Sequence, residues 1–159
     1  MSHRPIRVLV VDDSAFVRAV LTRMITSDPD FTVVGATGRG SEAAGLVTRL
    51  QPDVVTLDVE MPDMNGLDAL AEIMRTRPTP VVMVSSLTAS GTRTAVQALA
   101  LGAVAGVAEP SGPRSPDLHR VQEELLPKLR AAAAARPRLT PAAAPPPARP
   151  APPAASQPL

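Results

Sequence analysis

The sequence predicts an α/β fold: a doubly wound, five-stranded parallel sheet in the order 2-1-3-4-5, with helices on both faces. Five short aliphatic runs have the composition of buried strands. They alternate with segments of helical length whose apolar residues recur every three or four positions. Such alternation is typical of parallel sheets, and right-handed crossovers require the chain to start in mid-sheet and wind both ways.

The individual elements follow from these two periodicities. The predicted strands cover residues 6–11, 31–36, 53–57, 80–85 and 103–107. The predicted helices cover residues 14–27, 40–50, 66–76, 89–101 and 115–131. Ser115 followed by Pro116 is typical of a helix start. Pro127 is expected to kink or end the last helix, because proline lacks the N–H that helices need.

Composition sets the bounds on function. A chain of 159 residues with 45% hydrophobic content builds one domain, and its core must be aliphatic because Trp and Tyr are absent. The absence of Cys excludes a disulfide framework, a thiolate nucleophile and a cysteine zinc site. No apolar run approaches the roughly 20 residues of a membrane span, and the N-terminus leads into a strand rather than a signal peptide. We therefore expect a cytoplasmic protein without membrane insertion.

Charge and composition divide the chain into a domain and a tail. Residues 1–124 carry 11 basic and 15 acidic groups, a net charge of −4, which argues against a nucleic-acid partner. Residues 132–159 are mostly Ala and Pro, which predicts a disordered, semi-rigid linker. An alternative for this tail is a Pro-rich recognition segment. The predicted domain is 1–131, with a core of about 5–127, and a linker in this position suggests one domain of a longer architecture.

Acidic residues lie at the ends of two predicted strands. Asp12 and Asp13 follow the first strand, and Asp58 follows the third. These strands are neighbours in the predicted order, so the carboxylates converge on one crevice at the carboxyl edge of the sheet. Clustered carboxylates repel one another unless a divalent cation lies among them, and oxygen ligands favour Mg²⁺. The absence of His and Cys from the cluster argues against zinc.

Local roles offer simpler interpretations of the same residues. Asp13 with Ser14 is a possible cap for the first helix. The stretch "PDMNG", residues 62–66, has the composition of an ordinary turn. Consecutive strand residues point to opposite sides, so Asp12 and Asp13 are expected to differ, one touching the metal and the other holding a metal-bound water. The placement of Asp58 on the neighbouring strand favours the metal site.

Several longer motifs carry a family resemblance. They are "VLVVDDSAFVR", "LDVEMPDMNGLDAL", "PTPVVMVSSL", "LGAV" and "EPSG". Together they resemble a two-component response-regulator receiver domain, and more narrowly the N-terminal receiver of the chemotaxis protein-glutamate methylesterase, or CheB-type, family. The resemblance covers residues 4–131 and implies the flavodoxin-like form of the predicted sheet.

The resemblance implies a phosphoryl switch. Asp58 matches the phosphoacceptor, while Asp12, Asp13, Asp58 and the backbone carbonyl of Glu60 match the ligands of Mg²⁺. Ser85 matches the switch hydroxyl, although a strand-terminal serine that bonds local backbone is the simpler alternative. The implied partners are a chemotaxis histidine kinase and either an esterase domain in cis or a chemoreceptor complex.

The sequence departs from the family pattern after the fifth strand. Receivers carry a Lys before the Pro of that loop, where this chain has Glu109. A carboxylate pointing inward replaces attraction of the phosphoryl group by repulsion, a difference on the order of several kcal/mol. Arg39 and Arg114 are candidate substitute cations. Gly106 stands near the position where receivers place an aromatic residue.

These departures leave three functional hypotheses. The first is the phosphoryl switch at Asp58, and the second is a degenerate receiver that binds partners without phosphorylation because of Glu109. The third is an Mg²⁺-dependent phosphatase of the haloacid-dehalogenase type, whose second acid Glu60 matches only loosely. Ester hydrolysis is not assigned, because the family's esterase domain uses Ser, His and Asp and this chain has only His3 and His119.

Overall fold

The computed structural model describes residues 4–85, 89–108 and 115–135. Its five strands form one parallel sheet in the order β2-β1-β3-β4-β5, which confirms the predicted topology. The strands are β1 (Ile6–Val11), β2 (Phe31–Thr37), β3 (Val54–Asp58), β4 (Val81–Ser85) and β5 (Ala105–Ala108). The helices are α1 (Ala15–Thr26), α2 (Ala43–Leu50), α3 (Gly66–Thr76), α4 (Ala89–Ala100) and α5 (Ser115–Ala134), and a short 3₁₀ helix (Gly40–Glu42) precedes α2.

Three elements differ from their predicted bounds by more than one residue. The helix predicted over residues 40–50 begins as the 3₁₀ helix Gly40–Glu42 and becomes α-helical from Ala43. The fifth strand begins at Ala105 rather than at residue 103, because the N–H of Ala103 instead donates to the carbonyl of Ala98 at the end of α4. Helix α5 does not end at Pro127 but continues to Ala134. Leu125 and Leu129, on either side of the proline, are both buried in the core, and this packing offsets the lost hydrogen bond. The predicted tail lies outside the described residues from 136 onward.

Two aliphatic cores cover the two faces of the sheet. Alternate strand residues point to opposite faces, so Val8 and Val10 lie in one core and Leu9 and Val11 in the other. The first core packs α1 and α5 against the sheet, with the buried Phe31 as its aromatic member. The second packs α2, α3 and α4 against the opposite face. The four β1 side chains are fully buried, each contributing roughly 1.5–3 kcal/mol relative to an exposed position.

Helix α5 is tied to the segment before β2. The guanidinium of Arg130 donates to Asp30 at 2.8 Å and to Asp28 at 3.1 Å. The same group lies 5.1 Å from the centre of the Phe31 ring, within the range of a cation–π contact. Because this segment precedes a strand, the attachment lies at the amino edge of the sheet.

Within the described part of the chain, no helix is both long and apolar enough to cross a membrane.

Candidate functional site

Three carboxylates meet at the carboxyl edge of the sheet. Asp12 follows β1 directly, Asp13 comes next, and Asp58 is the last residue of β3, which pairs with β1. Oxygen atoms of the three side chains all lie within 4.8 Å of one another. Asp12 and Asp58 are only 1% and 4% exposed, whereas Asp13 is exposed. The two neighbouring aspartates therefore occupy different environments, which is consistent with the prediction of different roles.

Hydrogen bonds fix both the backbone and the side chain of Asp12. Its backbone N–H donates to the carbonyl of Thr37 on β2 at 3.0 Å, which extends the sheet by one bond. Its Oδ1 atom accepts from the N–H of Ser14 at 2.9 Å. The Oγ atom of Ser14 in turn accepts from the N–H of Val17 at 3.2 Å and forms the N-cap of α1. Ser14 caps the helix, and the Asp13 side chain faces the cleft instead.

Arg18 supports the same loop from the first turns of α1. Its Nη1 atom donates to the backbone carbonyl of Asp12 at 2.6 Å. A Cβ atom at Gly38 would lie 2.6 Å from this nitrogen, so the guanidinium packs directly against the glycine. Arg18 was not predicted as a site residue, because nothing in a helical repeat shows which arginine contacts the end of the preceding strand.

The phosphoacceptor candidate is fixed by the backbone that follows it. The N–H of Glu60 donates to Oδ1 of Asp58 at 3.2 Å, and the N–H of Val59 donates to Val84 on β4 at 3.1 Å. Gly66 begins α3 directly behind this strand end, where an added Cβ atom would lie 2.3 Å from the carbonyl oxygen of Asp58. The stretch "PDMNG" is therefore more than a turn, because its last residue must be glycine for α3 to approach the site.

An open cleft of about 600 Å³ surrounds the carboxylates. Its lining comes from the loops after β1 and β3, together with one residue of α4. The lining residues are Asp12, Asp13, Ser14, Asp58, Val59, Glu60, Met61, Pro62, Asn65 and Thr94. Thr94 was not predicted as a site residue, since a threonine within a helical pattern carries no sign of what it faces. Among the residues that the structure describes, no Lys or Arg lines the cleft.

Among the remaining predicted site residues, Ser85 and Arg39 are described and do not line the cleft. Ser85 is the last residue of β4, is 8% exposed, and pairs in register with Ala108 of β5. Glu109 and Arg114 lie outside the described residues. Arg39 is exposed, and its backbone N–H donates to Oγ1 of Thr37 at 3.2 Å.

His119 does not belong to the carboxylate site. It is exposed on α5, where its Nε2 atom lies 3.1 Å from the carboxylate of Glu123. His3 lies outside the described residues. In the described residues, the contacts of His119 thus give no sign of the Ser, His and Asp arrangement of an esterase.

The carboxylate cluster fits a magnesium ion. All three candidate side chains supply oxygen atoms, which are the ligands that Mg²⁺ prefers, and their mutual separation allows one ion to contact or approach all of them. The exposed position of Asp13 and the open cleft leave room for the waters that Mg²⁺ retains. The Glu60 backbone lies at the rim of the same cleft, beside Asp58.

Comparison with known proteins gives a consistent result. A model of the response regulator receiver domain matches residues 8–115. A protein-glutamate methylesterase/protein-glutamine glutaminase of Symbiobacterium thermophilum is 58% identical over 141 residues, which are 89% of this chain and 39% of that protein. The chain spans about two fifths of the length of the curated relatives it matches.

Solved structures are similar over most of the described domain. The crystal structure of the response regulator domain of Thermotoga maritima CheB is 50% identical with a TM-score of 0.74, covering 82% of this chain and 98% of that one. A crystal structure of the P1 domain of CheA3 in complex with CheY6 from R. sphaeroides contains a chain that is 35% identical. That match has a TM-score of 0.66 and covers 82% of this chain and 98% of the matched chain.

Proposed function

This chain belongs to the response regulator receiver domain family, and on that premise we propose that it is the phosphoryl-accepting receiver of a CheB-type chemotaxis regulator. The observation that carries the proposal is the meeting of Asp12, Asp13 and Asp58 in one open cleft at the carboxyl edge of the sheet. The similarity to the CheB receiver of Thermotoga maritima supports the narrower assignment.

The proposed reaction is phosphoryl transfer to Asp58. A carboxylate oxygen attacks the phosphorus of a phosphohistidine in line, the new P–O bond forms as the P–N bond breaks, and the electron pair stays on the imidazole nitrogen. The N–H of Glu60, 3.2 Å from Oδ1, orients the carboxylate for this attack. Asp12, Asp13 and the Glu60 carbonyl would hold Mg²⁺ beside Asp58. Bound Mg²⁺ supplies positive charge that stabilises the transferring group.

Ser85 is the proposed switch residue. It ends the strand adjacent to β3, and its side chain is nearly buried, so a change of its contacts would be transmitted to neighbouring core residues rather than to solvent. A hydroxyl in this place is able to donate a hydrogen bond to a phosphoryl oxygen.

The proposed donor is a chemotaxis histidine kinase, in the cytoplasm. The similarity to a chain in the complex of CheY6 with the P1 domain of CheA3 supports this class of partner. An esterase domain in cis is a second proposed partner, because the curated relatives are methylesterases more than twice the matched length. Contact with a chemoreceptor complex follows from the same family assignment and is proposed on the same ground.

The test is the intact mass of the protein after incubation with Mg²⁺ and a small phosphodonor. We expect a phosphoryl adduct in the wild type and none in Asp58→Asn, which removes the nucleophile with almost no change of shape. Omitting Mg²⁺ and adding EDTA is expected to slow the labelling strongly. An adduct of equal size in Asp58→Asn would place the acceptor elsewhere.

A degenerate receiver is the second candidate. It is favoured by Glu109 in the sequence and by the lack of Lys and Arg among the described residues that line the cleft. On this alternative the chain binds Mg²⁺ and partners but is not phosphorylated. Folded protein that binds Mg²⁺ and gives no adduct at any donor concentration would support this candidate over the first.

A further inference from the structure

The loop after the phosphoacceptor is attached to a second element through Asp63. Its Oδ1 atom accepts from the N–H of Gly40 at 3.1 Å. Its Oδ2 atom accepts from both the N–H of Ser41 at 3.1 Å and the hydroxyl of Ser41 at 2.8 Å. Three hydrogen bonds thus join the loop of residues 59–65 to the 3₁₀ helix that leads into α2.

The two segments approach each other closely at Gly40. A Cβ atom at Gly40 would lie 2.9 Å from Cε of Met61 and 3.0 Å from the backbone oxygen of Met64. Met61 is itself buried in the core between the sheet and helices α2 and α3. On one side of Asp63 the loop is thus held by the buried side chain of Met61, and on the other the Met64 backbone packs closely against Gly40.

Besides Met61, the loop is held at its two ends and at Glu60, whose N–H donates to Oδ1 of Asp58 at 3.2 Å. Val59 donates to β4 at one end, and the side chain of Asn65 caps α3 at the other by accepting from Leu67 at 2.6 Å. Glu60 and Pro62, between these ends, are exposed at the cleft. Asp63 attaches this exposed middle part, which includes the backbone of Glu60, to the first residues of the α2 segment.

We propose that Asp63 is a positioning residue for the metal site, which holds the Glu60 backbone in place by attaching its loop to Gly40 and Ser41. The proposal rests on the proposed function in taking Mg²⁺ as the ion of the site. It also predicts an effect that the carboxylate cluster alone would not produce. Occupation of the metal site and the conformation of residues 40–41 are coupled, so each affects the other.

The geometry explains why Asp63 acts by position rather than by charge. The side chain points its two oxygens at Gly40 and Ser41, and the residue does not line the cleft. Supporting residues of this kind typically change metal affinity by about 10–100-fold when they contact a ligand directly. Two residues, Met61 and Pro62, separate Asp63 from Glu60, so we expect a smaller effect of about 3–10-fold.

The test is Mg²⁺ affinity measured by isothermal titration calorimetry on the full chain. Asp63→Ala is expected to raise the Kd for Mg²⁺ by about 3–10-fold. Ser41→Ala, which keeps the charge of Asp63 and removes one of the three bonds, is expected to raise it by about 2-fold. Asp68→Asn, which removes an equal charge from an exposed position on α3 outside the cleft lining, is the matched control and should leave the Kd within error of the wild type.

A second readout follows the coupling itself. In backbone amide NMR spectra, added Mg²⁺ is expected to shift the resonances of Gly40 and Ser41 in the wild type. In Asp63→Ala those two shifts should disappear while the shift of Asp13 remains. A purely structural role would lower the urea midpoint of Asp63→Ala without changing its Kd or these shifts, and that result would overturn the proposal.

The outcomes separate this inference from the proposed function. If Mg²⁺ binding depends on Asp63 but the chain accepts no phosphoryl group, the proposed phosphoryl-accepting function is wrong and the proposed role of Asp63 stands. Phosphorylation at Asp58 with equal Mg²⁺ affinity in wild type and Asp63→Ala would do the reverse. A wild type that binds no Mg²⁺ would overturn the inference together with the metal site.

Discussion

Replacing Gly66 by alanine should damage the fold at the phosphoacceptor. The new Cβ atom would lie 2.3 Å from the carbonyl oxygen of Asp58 and 2.8 Å from Cα and the carbonyl oxygen of Val59. These are backbone atoms of a buried strand end, so they have no flexible side chain that can move aside. Overpacking of this kind costs about 1–3 kcal/mol, here toward the upper end. Alanine recovers at most about 1 kcal/mol through its helix propensity, leaving a net loss of about 2 kcal/mol.

Thermal unfolding followed by circular dichroism measures this loss, since the chain has no Trp or Tyr for fluorescence. For a domain of this size we expect the Tm of Gly66→Ala to fall by about 6–10 °C. Gly45→Ala is the matched control, because nothing lies within 4 Å of its Cβ position in α2, and it should raise the stability by about 0.5–1 kcal/mol. A Gly66→Ala protein as stable as the wild type would refute the reasoning that α3 must approach the strand through glycine.

Three further predictions concern charged groups. Asp13→Asn should raise the free energy of unfolding in EDTA, measured by urea denaturation, by about 1 kcal/mol or less because Asp13 is exposed. This gain should vanish in saturating Mg²⁺, and an equal gain in both conditions would contradict a metal role. The hydrogen bonds from Ser41, and then from Gly40, hold the pKa of Asp63 below its ordinary value of 3.8. The contribution of Asp63 to stability is therefore fully present above the unfolded-state pKa and is lost as the pH falls through the lowered folded-state pKa. The urea midpoints of wild type and Asp63→Ala should accordingly differ at pH 7 and converge in acid. Arg130→Ala should lower the urea midpoint at low salt. The difference from wild type should shrink in about 0.5 M NaCl, because salt screens the exposed ion pairs with Asp28 and Asp30. A loss that does not depend on salt would instead assign the effect to packing of Arg130 on Phe31.

The sequence carried enough information to place the carboxylates together. Aliphatic runs alternating with helical repeats determine the parallel sheet, and the handedness of the crossovers then makes β1 and β3 neighbours. Once those strands are adjacent, Asp12 and Asp58 must lie at the same edge. This reasoning needs only periodicity and topology, both of which are readable along the chain.

Contacts between elements were not readable in the same way. Asp63 bonds to Gly40 and Ser41 from more than twenty positions away, and Arg18 reaches the backbone of Asp12 from the next helix. Such contacts depend on side-chain direction and loop path, which have no periodic signature. The continuation of α5 past Pro127 is another case, because burial of Leu125 and Leu129 outweighs a local preference that the sequence shows clearly.

The attachment of Arg130 to the segment before β2 determines where the chain leaves the domain. Helix α5 has 20 residues and a length of about 30 Å, and its last turns lie beside Asp28 and Asp30 at the amino edge of the sheet. The carboxylates lie at the opposite edge. Any segment that continues from Ala134 therefore starts at the end of the domain remote from Asp58. A chemical event at Asp58 therefore takes place at the opposite edge of the sheet from the end of α5.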